Sequence, residues 1–94
     1  MELSTPKYPA TLTPNGEGGF IVAFRDVPEA LTEIHSMDEL EETASDCLAS
    51  AMEFYIGDRK PFPLPSKPRV GERLVALPKE AAEKALLLNG EVGG

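Results

Sequence analysis

From Asp26 through Asp58 the sequence contains no lysine and no arginine, although ten carboxylates fall in the same stretch. A helix or strand built there has no internal cation with which to form the side-chain pairs that steady isolated helices. Other shortages narrow the function further. A single cysteine, Cys47, excludes an internal disulfide, and a single histidine, His35, excludes a histidine pair for metal or acid–base work. No apolar run approaches the roughly 18 to 20 residues that a membrane span needs. The opening MELSTPKYP has neither the basic nor the apolar region of a secretory signal, so a cytoplasmic protein is expected.

What is present is the composition of one small folded domain. The chain has 94 residues, 41% hydrophobic and 27% charged, which leaves room for one core and sets it apart from disordered sequences. The net charge of −7 is unevenly placed. Residues 1 to 57 carry eleven acids against Lys7 and Arg25, whereas residues 58 to 94 carry five acids and seven bases. Phosphate backbones are repelled by the first part, so a basic protein is the better expected partner.

Alternation in YPATLTP, with Tyr8, Ala10 and Leu12 on one face, predicts a half-buried strand, and Pro9 predicts that it lies at an edge or a strand start. NGEGG then reverses the chain, its glycines serving the hairpin, and FIVAF returns as a central strand ended by Asp26 and Pro28. Leu31 to Ile34 completes a three-stranded meander. Ser36 and Glu39 form a capping-box signature for a long helix whose apolar stripe is Leu40, Ala44, Cys47, Leu48, Ala51 and Tyr55, with Gly57 as its stop. PFPLPS cannot be helical and predicts an extended arm with Phe62 and Leu64 as pegs into the core. ERLVALP predicts a fourth strand, KEAAEKALLLN a short helix, and GEVGG its end. The expected class is α+β: an antiparallel sheet, a three-stranded meander plus a fourth strand, covered by one long helix, with a short C-terminal helix.

Three segments in order, YPATLTPNGEGGFIVAFRDVPEALT, EFYIGDRKPFPLPS and LVALPKEAAEKALLLN, resemble the HicB family of antitoxins, the protein halves of HicAB toxin–antitoxin pairs. The resemblance runs from Tyr8 to Asn89. It implies a partial RNase H-like fold and a partner, the HicA-type toxin, that is small, basic, shaped like a double-stranded-RNA-binding domain and cleaves mRNA with a histidine. It implies that residues 1–78 form a HicB-like toxin-binding domain. Residues 79–94 then read as a short helix and tail, the remnant of or lead-in to a DNA-binding segment, and operator DNA is expected as a partner only where such a segment follows residue 94. A homodimer or higher homo-oligomer is expected as well.

No catalytic, cofactor-binding or metal-binding residue is expected. An RNase H-like nuclease needs carboxylates converging on divalent metal, and neither ATLT nor FIVAF has a mid-strand acid. Cys47 lies on the apolar stripe and reads as a small hydrophobe. His35 reads as an exposed residue before the helix. For Asp26, Glu29, Glu33, Asp38, Glu42, Asp46 and Glu53 two readings stand: a solvated face that keeps the domain soluble, or a surface that orients a basic toxin. Phe54, Tyr55 and Phe62 are rival partner anchors, against packing in this protein's own core. The expected function is therefore a non-enzymatic antitoxin that occludes the toxin. The alternative is a standalone HicB-like module binding another protein or ligand, or oligomerising through an exposed first strand.

Overall fold

The computed structural model describes residues 6–92. Its elements are β1 (Lys7–Pro14), β2 (Phe20–Phe24), β3 (Leu31–Ile34), a 3-10 turn (Met37–Glu39), α1 (Leu40–Asp58), β4 (Arg73–Ala76) and α2 (Lys79–Val92). The strands form one sheet in the order β3-β2-β1-β4, every neighbour antiparallel. This is the α+β architecture that the patterning predicts. Among the described residues no helix is long and apolar enough to cross a membrane.

One face of the sheet is buried under α1. Tyr8, Ala10, Val22, Phe24, Ile34 and Val75 point inward and meet Ala44, Leu48, Ala51 and Met52 of the helix. Leu40, Cys47 and Tyr55 of the expected stripe are only partly buried, and Met52 is buried in their place. With Ala49 and Ile56, Met52 makes a second stripe beside Glu53, on the flank where Glu53 reaches Lys84 of α2. The alanines Ala81, Ala82 and Ala85 bring α2 against the same core.

Pro9 does not mark an edge: β1 lies between β2 and β4, and the sheet ends at β3 and β4. An antiparallel strand turns the backbone groups of alternate residues toward alternate neighbours. Pro6 accepts the Leu77 N–H, so Tyr8 and Ala10 also face β4, while Pro9 faces the side of β2 just past its last paired residue, Phe24. The missing N–H costs no ladder bond there.

The expected caps also differ. Ser36 makes no side-chain cap; Glu39 reaches back to the His35 N–H at 3.4 Å. Gly57 lies inside α1, and the stop is Arg59, held left-handed at φ 56° while the N–H groups of Arg59 and Lys60 close on the carbonyls of Ile56 and Tyr55. A paired-bond stop of this type wants a left-handed residue, and it places that residue two beyond Gly57. Because a Cβ at Gly57 would meet nothing within 4 Å, Gly57→Ala should stabilise the fold by about 0.5–1 kcal/mol, read as a higher urea midpoint with unchanged slope. Finally, α2 continues past Gly90 to Val92.

The arm carries one peg, not two. Phe62 is buried in edge-on contact with Tyr8 and Tyr55, its ring centroid 5.7 Å and 5.1 Å from theirs, whereas Leu64 is 80% exposed. Tyr8 also donates from its hydroxyl to the Pro63 carbonyl at 2.6 Å. Strict alternation would put Phe62 and Leu64 on the same face, so the arm leaves its extended register against the core between them, just after the Pro63 carbonyl that Tyr8 holds.

Candidate interaction surface

The seven carboxylates divide by what they touch. Asp26, at the end of β2, accepts the backbone N–H and the hydroxyl of Ser66, both at 2.7 Å, and so ties the proline arm to the sheet. Next to it Arg25 donates to Glu72 at 2.9 and 3.2 Å and to the Lys67 carbonyl at 2.5 Å, and Glu72 also accepts the Arg69 N–H at 2.6 Å. Glu29 accepts the Tyr55 hydroxyl at 2.7 Å, and Glu33 accepts the Asn15 amide at 2.5 Å. These three acids hold loops in place as well as carrying charge.

The helical acids are different. At 3.6 residues per turn Glu42, Asp46 and Glu53 fall within an arc of about 40° and run about 16 Å along α1, opposite the face buried on the sheet. Asp38 adds its charge at the 3-10 turn. The carboxylates of Asp38, Glu42 and Asp46 are exposed and make no hydrogen bond or ion pair among the described residues. Glu53 meets Lys84 at 3.7 Å, but both side chains are about 60% exposed, so the pair contributes little. The structure thus sets a solvated carboxylate face on α1, between the edges of the sheet.

The tied acids have shifted titrations. Partial burial pushes Asp26 upward, yet the two hydrogen bonds from Ser66 and the charges of Arg25 and Arg69 bring it below its ordinary value. The Arg25 hydrogen bond lowers Glu72, and the Tyr55 hydrogen bond lowers Glu29. Burial, reinforced by Glu29, pushes Tyr55 up to about 12. A carboxylate whose folded value is depressed stabilises the fold above its ordinary unfolded value, and that contribution fades as pH falls through the folded one. Stability should therefore hold from neutral pH to about 5 and decline below about 4, where unfolded carboxyls begin to take protons. In Asp26→Asn the melting temperature at pH 7 should fall and its further loss between pH 4 and 2 should shrink, as thermal melts across pH would show.

Cys47 is half-buried, its thiol raised by burial and bonded to the backbone of Leu31. His35 is exposed. Among the described residues no three of histidine, cysteine, aspartate and glutamate converge as a metal site would require. The aromatic anchors separate: Phe62 is core, Tyr55 is half-buried against Glu29, and Phe54 is 66% exposed. Sequence reasoning missed the Arg25–Glu72 tie, whose partners lie 47 residues apart, and the exposure of Leu31 at 64%. On the wheel Phe54 falls at the margin of the apolar stripe, next to Cys47, and Tyr55 nearer its middle, the one signal that separates them.

A family model described as HicB_like antitoxin of bacterial toxin-antitoxin system matches residues 7–86. The chain belongs to this HicB-like antitoxin family. Relatives agree: Antitoxin HicB of Escherichia coli (strain K12) is 45% identical over 83 residues, covering 88% of this chain and 60% of that protein. Antitoxin HicB 1 of Photorhabdus laumondii is 46% identical over 83 residues, covering 88% of this chain and 52% of the relative, and Antitoxin HicB 2 of the same strain is 41% identical over 83 residues. The chain spans between 52% and 60% of the length of these HicB relatives. The matched region of the HicB-like model takes in the sheet, α1, the proline arm and most of α2, so the carboxylate face lies within it.

Proposed function

We propose that this HicB-like chain is an antitoxin without enzymatic activity that binds a basic, mRNA-cleaving toxin of the HicA type in the cytoplasm and neutralises it by covering its active site or RNA-binding surface. Where a DNA-binding segment accompanies the domain, the pair represses its own operon. Residues 1–78 supply the toxin-binding surface, and residues 79–94 lead toward the DNA-binding segment. One observation carries the reading beyond family membership: the exposed face of α1 presents carboxylates with no lysine or arginine anywhere between Asp26 and Asp58. An RNA-binding toxin has the opposite charge, and complementary potentials speed encounter and disfavour wrong partners.

Co-expression with its genomic neighbour should retain a small basic protein in a complex that survives purification and no longer degrades RNA. In the triple variant Glu42→Lys, Asp46→Lys and Glu53→Lys the association rate should fall by about tenfold or more at low salt, and its decline with added salt should flatten or reverse. Stopped-flow mixing over a salt series measures both. A rate that matches wild type and ignores salt removes the helix face from recognition.

A further inference from the structure

The sheet has two edges, and they are not equivalent. On β4 the residues facing away from β1 are Leu74 and Ala76, and Ser45 of α1 donates its hydroxyl to the Ala76 carbonyl at 2.6 Å. The β3 edge is more open. Asn15 donates its N–H to the Gly19 carbonyl, which places Gly19, Ile21 and Ala23 toward β1 and therefore Phe20 and Val22 toward β3. Their partners Ile34 and Thr32 face inward, so the backbone groups of Leu31 and Glu33 face out. Cys47 occupies the Leu31 backbone at one end, and Glu39 takes the His35 N–H at the other. Between them the Leu31 carbonyl and the N–H and carbonyl of Glu33 meet no partner among the described residues.

An apolar side chain stands beside that gap: Leu31 is 64% exposed. Acids lie around it, Glu33, Asp38 and Glu39, while Glu29 stands farther along beside Tyr55 and within reach of the Lys60 charge. An open edge beside an exposed leucine favours an added strand, and the acids next to it select a basic owner. A second copy of this chain pairing through its own β3 would set Glu33 and its neighbours against their equivalents, and like charges across a strand pair are destabilising.

We infer that the β3 edge receives an extended, lysine- or arginine-bearing segment of the toxin, which adds a fifth strand through the outward backbone of Leu31 and Glu33 while its cations meet Glu33, Asp38 and Glu39. The inference rests on the toxin-binding function proposed above and locates the contact.

Because the Glu33 N–H points outward, proline is tolerated there without loss of a ladder bond, so Glu33→Pro should stay folded by circular dichroism while removing the donor. The toxin complex should weaken about tenfold in Glu33→Pro, the effect of one hydrogen bond and its geometry, and clearly less in Glu33→Gln. Independently of any variant, hydrogen exchange at the Glu33 amide should be fast in the free chain and slow in the wild-type complex. A toxin complex in which Glu33→Pro binds like wild type and the Glu33 amide exchanges freely overturns the edge contact and leaves the toxin-binding function standing. Absence of any complex overturns both. Protection of Glu33 in the free chain that grows with its concentration also overturns the inference, because a second copy then takes the edge.

Discussion

Phe62→Ala should lower the unfolding free energy by about 3–5 kcal/mol, the range for truncating a buried aromatic. Phe62 is 2% exposed and packs edge-on against both Tyr8 and Tyr55, so the change empties a site walled by β1 on one side and α1 on the other. For a domain of this size, with total stability on the order of 5–15 kcal/mol, that is a large fraction. The loss should not be confined to the cavity. With its peg gone, the arm is held by the Tyr8 bond to Pro63, the Ser66 bonds to Asp26 and the Arg25 ties to Lys67 and Glu72. Urea unfolding gives the magnitude, and Leu64→Ala is the internal control: at 80% exposure it should change stability by less than about 0.5 kcal/mol. Equal losses in the two variants would mean that the arm is anchored differently.

Gly19→Ala should cost about 1–3 kcal/mol or more, at the upper end for a single methyl because the obstacle is backbone. A Cβ at Gly19 would fall inside contact distance of the Ile34 carbonyl, with the Asn15 amide and the His35 Cα both at 3.1 Å. The main chain of β3 must move to admit it, and that displaces the open edge as well. Gly16 and Gly18, by contrast, have positive φ and open space where a Cβ would stand. Gly16→Ala should therefore cost only the strain of a left-handed alanine, about 1–2 kcal/mol. Thermal melts of the two variants would separate crowding from backbone strain, and a Gly19→Ala protein as stable as wild type would show that β3 yields without cost.

These glycines illustrate what the sequence makes legible. NGEGG announces a hairpin, and the strands on both sides of it pair as alternation implies. Which glycine is needed for its φ and which for close approach depends on where β3 passes, and that is decided by tertiary packing. The same holds for Pro9: a period of two reports which face is buried but not how many neighbours a strand has. The β4 partner of β1 arrives more than sixty residues later. For α1 the principal stripe is readable because the sheet covers it, whereas the second stripe through Met52 and Ile56 depends on α2 lying alongside. Of the acidic residues, the helical face follows from spacing alone. The roles of Asp26 with Ser66 and of Glu29 with Tyr55 do not, since hydrogen bonds spanning 40 and 26 residues leave no local pattern.

The interior position of β1 has a consequence for how the molecule comes into being. Its hydrogen-bonding partners on one side, and the carbonyl of Pro63 that receives the Tyr8 hydroxyl, are synthesised 55 residues or more after it. Contacts closing loops of 55 residues and more raise the contact order, which slows the final step of folding. Until Arg73–Ala76 emerges, the nascent meander keeps β1 as a bare flank, and β4 then closes it.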